Sequence, residues 1–241
     1  MDRSKALHAT RVAITGGTSG LGLALVRELT ARGSRVAFIA RSAQRVHEVA
    51  RETGAFGIVG DVADKSDIHR IALQVAGMLG GVDVLVNNAS TLGVVPLRLL
   101  ADTQCEDFEQ ALVTNVLGPF RLTKALLGSL AASAREGARA LVVNIGSDAG
   151  VNAYERWGAY GTSKAALAHM TRIWHEEAAP LGIHMLSVDP GDMDTPMHAA
   201  ALPDADRATL ARPQDAARML CDQIARALAL RSPQTDVRVT A

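Results

Sequence analysis

Cysteine is nearly missing from this 241-residue chain: Cys105 and Cys221 stand alone, in no metal-ligand spacing and in nothing like a disulfide framework. That argues against a disulfide-stapled secreted scaffold and against a cysteine-held metal; no metal site is expected, and a reducing compartment fits. Net charge is lacking as well, since 25 Lys and Arg balance 25 Asp and Glu. A chain with no global field is a poor partner for nucleic acid or an anionic membrane. No apolar run reaches the ~18 residues that span a bilayer. Met1 to Thr10 is polar and mixed in charge, without a hydrophobic signal core. A cytoplasmic protein is therefore expected, with neither nucleic acid nor membrane as partner. Internal repeats and low-complexity segments are also missing. The length allows one large α/β domain over residues 1–241 and is too short for two full domains and a linker.

What the chain does contain is an alternation of short β-branched runs with longer helical patterns. Val12 to Thr15, Val36 to Ala40, Gly57 to Gly60, Val84 to Val86, Leu141 to Ile145 and Met185 to Val188 read as strands. These runs are continuously apolar rather than alternating, as strands covered by helices on both faces must be. Leu21 to Ala31, Ile68 to Leu79, Phe108 to Leu130 and Ala165 to Ala179 read as helices, the third broken at Gly118-Pro119. Repeated strand-helix-strand units close by right-handed crossovers, so a doubly wound parallel sheet is predicted. Gly191 to Pro213, rich in Asp, Pro, Ala and Met, breaks the regularity and reads as a lid beside the sheet.

Directly after the first strand comes Thr15-Gly16-Gly17-Thr18-Ser19-Gly20-Leu21-Gly22, opening a helix. Backbone N–H groups in such a turn can approach a pyrophosphate, and the helix N-terminus adds partial positive charge. The spacing is not the common G-x-G-x-x-G, and glycine between strand and helix serves a tight turn as readily as a ligand. About 20 residues further on, where an NAD enzyme places a carboxylate on the ribose, this chain has Ile39-Ala40-Arg41-Ser42. A guanidinium pairs with a 2′-phosphate that a carboxylate would repel, and a hydroxyl can assist. Arg41 and Ser42 thus favour NADP(H), with a solvated helix-start arginine as the bland alternative. Tyr160-Gly161-Thr162-Ser163-Lys164 sets a phenol and an ammonium on one helix face. A free tyrosine titrates near 10, and bringing it to neutrality takes about 4 kcal/mol, which a fixed neighbouring cation can supply. Ser147 lies just past the fifth strand, at the sheet edge where ligands of such folds bind, although a loop serine is most often a turn former.

With these pieces assembled, the chain resembles the compact branch of the short-chain dehydrogenase/reductase family from about residue 9 to residue 230. The marks are Thr15-Gly16-x-x-x-Gly20-x-Gly22, Asp61-Val62, Asn87-Asn88-Ala89, Asn115, Ser147, Tyr160-x-x-x-Lys164 and Pro190-Gly191 followed by Thr195. Each is weak alone; seven in the family's order are specific. The resemblance implies a Rossmann-like fold with a seven-stranded parallel sheet and helices on both faces. It implies a cofactor site built from Gly16, Thr18, Ser19, Gly20, Leu21, Gly22, Arg41, Ser42, Asp61, Val62, Asn88, Ala89, Pro190, Gly191 and Thr195. Within it, Asp61 and Val62 would contact the adenine and Thr195 the nicotinamide amide or the phosphates. Lys164 would bind the nicotinamide ribose, Ser147 the substrate oxygen, Tyr160 would exchange the proton, and Asn115 would hold a water in a proton relay. The activity implied is hydride transfer between NADP(H) and a small carbonyl or secondary alcohol, in a homodimer or a homotetramer.

Three departures stand out. Ser90 occupies a position usually glycine, Asp189 precedes Pro190 where asparagine is usual, and Thr235 to Ala241 lacks the usual Asp-Gly-Gly ending, which leaves dimer and tetramer equally open. Among other classes, a non-catalytic NADP-binding sensor would typically have lost Tyr160 or Lys164, a sugar-nucleotide epimerase would have a longer C-terminal part, and a methyltransferase has no use for the pair. Ser90, Thr91, Asp148, Val151, Tyr154, Trp157, Met193 and Met197 are candidate substrate contacts by position, and Asp148, Asp192 and Asp194 near the mouth point to a polar or cationic substrate.

Overall fold

The computed structural model describes residues 7–229. Six parallel strands form one sheet: β1 (Arg11–Thr15), β2 (Arg35–Ala40), β3 (Phe56–Val59), β4 (Val84–Asn87), β5 (Ala140–Ile145) and β6 (Ile183–Val188). Their spatial order is β3-β2-β1-β4-β5-β6, so the chain winds outward from β1 to one edge and then returns to wind outward from β4. This is the Rossmann-like, doubly wound sheet that the apolar runs predict. The resemblance implied seven strands; the described residues contain six, and the C-terminal segment Thr235 to Ala241 lies outside them.

The helices are α1 (Gly20–Ala31), α2 (Ala43–Thr53), α3 (Ile68–Leu79), α4 (Cys105–Leu112), α5 (Gly118–Arg135), α6 (Gly158–Ala178), α7 (Pro196–Ala201) and α8 (Pro213–Ala229). Successive strand residues point to opposite faces, and the core divides accordingly. Val12 and Ile14 pack with Leu25 and Leu29 of α1, Val46 of α2 and Leu220 and Ile224 of α8. Ala13, Leu85 and Val142 face the other way, against Ile71 and Val75 of α3 and Leu122 and Leu126 of α5. Continuous apolar strands are the necessary result, since each strand residue meets one helical layer or the other.

Two elements differ from expectation. The break in the predicted helix from Phe108 to Leu130 is a π-helical stretch, Val113–Leu117, closed by a hydrogen bond from the Gly118 N–H to the Val113 carbonyl. Pro119 then sits in the first turn of α5, where its missing N–H is tolerated but brings nothing to the carbonyl of Asn115, four residues back. The helix expected from Ala165 starts earlier, at Gly158, and so contains both Tyr160 and Lys164.

The segment from Gly191 to Pro213 is more ordered than a loop. Besides α7 it contains a 3₁₀ turn, Arg207–Thr209, and a parallel bridge joins Met193 to Ala211. The Arg207 guanidinium also grips both oxygens of Asp194 at 2.9 Å.

Candidate active site

The sheet reverses its winding between β1 and β4, and in open α/β sheets the crevice at that point binds ligands. Local chemistry ties the two strand ends together: the Thr15 hydroxyl accepts the backbone N–H groups of Asn88 and Ala89, each at 3.0 Å, while the Asn88 amide donates to the Thr15 carbonyl at 2.9 Å. The glycine turn then lies against this seam. A Cβ on Gly22 would sit 2.1 Å from the Gly16 carbonyl oxygen, so only glycine lets α1 start so close to the strand. Ser19, the N-cap of α1, makes no side-chain cap, which leaves the first N–H groups of the helix for a ligand.

A cleft of about 1150 Å³ runs from this turn along the strand ends. Gly16, Thr18, Ser19, Gly20, Leu21, Gly22, Arg41, Ser42, Asp61, Val62, Asn88, Ala89, Pro190, Gly191 and Thr195 all line it. Arg41 forms no hydrogen bond or ion pair among the described residues, whereas Arg45 is committed to Glu48 at 2.7 Å and to the Thr18 carbonyl at 3.3 Å. Ser42 caps α2 by accepting the Arg45 N–H, Asp61 accepts the Ala63 N–H, and Thr195 caps α7 through the His198 N–H. These donors, the uncapped helix and the free guanidinium fit an extended phosphorylated dinucleotide: N–H groups and one cation for phosphates, apolar walls at Ile39 and Val62 for a base.

At the other end of the cleft stand Ser147, Tyr160 and Lys164. They meet because the turn Asp148–Gly150 after β5 packs tightly on α6; a Cβ on Gly161 would lie 2.7 Å from the Ala149 carbonyl oxygen. Lys164 is 3% exposed and its ammonium donates to the Ile145 carbonyl at 2.8 Å, 5.4 Å from the centre of the Tyr160 ring. Burial pulls the Lys164 pKa down to about 8, partly opposed by the Asp189 carboxylate. Tyr160 moves against the expectation drawn from its lysine neighbour. Burial pushes its phenol up to about 12, with Asp189 and Asp148 acting the same way and the Ser147 and Ser90 hydroxyls acting against them. The Lys164 ammonium is turned to a backbone carbonyl, and its field does not outweigh the loss of water.

Asn115 does not line the cleft; it lies behind it, 1% exposed. Its side chain is fully used: Oδ1 accepts the Ser90 hydroxyl at 3.0 Å and the Thr91 N–H at 2.8 Å, and Nδ2 donates to the Thr91 carbonyl and the Ser163 hydroxyl, both at 2.8 Å. Ser163 in turn donates to the Tyr160 carbonyl at 2.7 Å. The amide is therefore a clamp between the end of β4 and α6, and the group left for a water is the backbone carbonyl that Pro119 cannot satisfy.

Ser90, Thr91, Asp148, Tyr154, Trp157, Met193 and Met197 line the substrate end of the cleft, as do Asp189 and Asp192. Val151, 86% exposed, does not, and Asp194 is occupied by Arg207. Residues that sequence reasoning missed are Gln110 and Thr114 from the helix side and His198 and Leu202 from the lid. None belongs to a motif, and only the fold of the lid and of α4 brings them to the cleft.

A family profile described as short chain dehydrogenase matches residues 10–206, and the chain belongs to that family of oxidoreductases. Its curated relatives include 2-(R)-hydroxypropyl-CoM dehydrogenase of Xanthobacter autotrophicus, 36% identical over 195 residues that make up 78% of this chain and 76% of the relative. Among solved structures, a short chain dehydrogenase from Burkholderia cenocepacia in complex with NADP superposes with a TM-score of 0.78 at 27% identity, covering 89% of this chain and 90% of the other. A 3-ketoacyl-(acyl-carrier-protein) reductase from Brucella melitensis, complexed with NADH, superposes with a TM-score of 0.83 at 23% identity, covering 95% and 93%, and attests the fold. A nicotinamide cofactor and chemistry on a C–OH or C=O group go with this family. Among the described residues no helix is long and apolar enough to cross a membrane.

Proposed function

We propose that the protein is an NADP(H)-dependent carbonyl reductase, one domain over residues 1–241 that acts on a small carbonyl compound or the corresponding secondary alcohol as a homodimer or homotetramer. The observation that carries this reading is the continuity of one cleft from an unpaired Arg41 to a buried Tyr160 and Lys164. Gly16, Thr18, Ser19, Gly20, Leu21 and Gly22 would hold the pyrophosphate, Arg41 and Ser42 the 2′-phosphate, and Asp61 and Val62 the adenine. Asn88, Ala89, Pro190, Gly191 and Thr195 would hold the nicotinamide half. When bound, the nicotinamide supplies a hydride to the carbonyl carbon or takes one from the alcohol.

The chain's own residues manage the oxygen and its proton. Ser147 offers a hydroxyl to the substrate oxygen; at present it bridges the Ala149 N–H at 3.2 Å and the Asp148 carboxylate at 3.3 Å. Tyr160, held protonated by burial at neutral pH, gives its proton to the forming alkoxide, which suits the reducing direction. Lys164 places its positive charge beside the ring as the phenolate develops and reaches toward the ribose. The Asn115 carbonyl would hold the water that returns a proton to this end. The test is oxidation of NADPH against a panel of ketones and aldehydes, with Tyr160→Phe as the control. Turnover lost in the variant but present in the wild type supports the reading; cofactor binding with no turnover of any carbonyl would make the protein a sensor instead.

A further inference from the structure

The substrate half of the cleft is lined by charge of one sign. Asp148, Asp189 and Asp192 are there, whereas the basic groups of that half are Lys164, spent on the Ile145 carbonyl, and His198, whose Nε2 is 4.0 Å from Asp192 Oδ1. Arg41 belongs to the opposite end. A substrate carrying a sulfonate, phosphate or carboxylate would find no free cation and would face three carboxylates.

Beside the carboxylates is an aromatic wall. The Tyr154 hydroxyl donates to Asp148 Oδ2 at 2.6 Å; its ring meets Trp157 edge-on at 6.4 Å, and Trp157 meets Tyr160 at 5.7 Å. Asp148 and, more weakly, Asp192 push the Tyr154 phenol up, so both carboxylates act on this wall. The Tyr160 hydroxyl, on a side chain only 9% exposed, faces the same space without a carboxylate or backbone partner among the described residues. Electron-rich ring faces next to a carboxylate attract an organic cation, which is stabilised by both and loses less hydration than a metal ion would. Sequence alone gave the carboxylates; the structure adds the rings and removes Asp194.

Resting on the reductase reading above, we propose that the carbonyl substrate carries an organic ammonium group, seated between the Asp148 carboxylate and the rings of Tyr154 and Trp157, with Asp192 closing over it from the lid. This separates the chain from relatives whose printed names place their substrates on coenzyme M or on acyl carrier protein.

The experiment uses the full chain and three methyl ketones of equal length whose far ends are dimethylammonium, isopropyl and carboxylate. The cationic ketone is expected to exceed its neutral isostere in kcat/KM by about 10-fold, as one carboxylate and a ring contact together give. Asp148→Asn should bring that ratio close to one and Asp192→Asn should lower it in part; any common loss through Ser147 cancels in the ratio. Equal turnover of the cationic and neutral ketones, or preference for the carboxylate, overturns the proposal while leaving the reductase reading intact. If none of the three is reduced, titration calorimetry of the corresponding alcohols into the NADP-saturated protein decides: tighter binding of the ammonium alcohol, lost in Asp148→Asn, supports the cation seat, and equal binding refutes it.

Discussion

The buried ammonium of Lys164 should make the protein less stable than it need be, and by an amount that depends on pH. Burial takes its pKa from 10.5 to about 8, a difference worth about 3 kcal/mol against the fold at neutral pH. Because the folded-state value lies below the unfolded one, the unfolded chain binds the extra proton between those values. Raising the pH through that window therefore stabilises the fold. Lys164→Met removes this dependence but strands the Ile145 carbonyl, at a pH-independent cost of about 1 to 3 kcal/mol. The variant should thus be slightly the more stable protein at pH 7 and the less stable one at pH 10, the gap moving by roughly 2 kcal/mol. Urea unfolding of both proteins at the two pH values measures it, and titrations common to both cancel. A gap that does not change with pH, or that moves in the variant's favour as pH rises, would refute the claim that Lys164 is held charged without water.

Other outcomes are equally direct. Tyr160→Phe should leave less than a tenth of kcat while the cofactor dissociation constant hardly changes, because the ring's packing against Trp157 remains; a larger residual rate would remove the phenol from the chemistry. Arg41→Ala should erase a preference for NADPH over NADH of about 10- to 150-fold, the 1.5 to 3 kcal/mol of a charge-assisted pair, as read from kcat/KM with each cofactor. Unaltered selectivity would assign Arg41 to solvent. Hydrogen exchange in residues 191–213 should slow when NADP binds, because Thr195 stands across the turn from Gly20; equal protection with and without cofactor would exclude closure.

How much of this was readable in the sequence follows from which forces are local. The strand runs are legible because a two-sided burial pattern is written residue by residue, and Tyr160 and Lys164 because four residues of helix fix their common face. The glycine turn and Arg41 are legible by order along the chain. What is not legible depends on groups distant in sequence. Nothing near Lys164 announces that its ammonium meets the Ile145 carbonyl, and hence nothing announces that burial, rather than their mutual field, sets the titration of Tyr160. The buried amide chain from Asn87 to Asn144 at 2.8 Å and on to Thr171 at 2.8 Å joins three elements through residues that individually read as turn formers. The clamp made by Asn115 needed the positions of Thr91 and Ser163, 24 and 48 residues away.

The π-helical stretch at Val113–Leu117 has a bearing on how this chain can vary in length. Such a stretch takes in one residue more than an α-helix over the same rise, and one residue is about 100° of rotation about the axis. The stretch therefore sets the phase of everything that follows in α5. Deleting any one residue between 113 and 117 would restore a regular helix and swing Leu122, Leu126 and Leu130, each at most 1% exposed, away from the sheet. Inserting another would swing them the opposite way. The same extra residue holds Asn115 at its clamp and its carbonyl without an N–H partner from Pro119, so the core beneath the sheet and the proton path above it share a single register. Changes of length are admissible in the loops of this fold; here, in the middle of a helix, a change of one is a change of face.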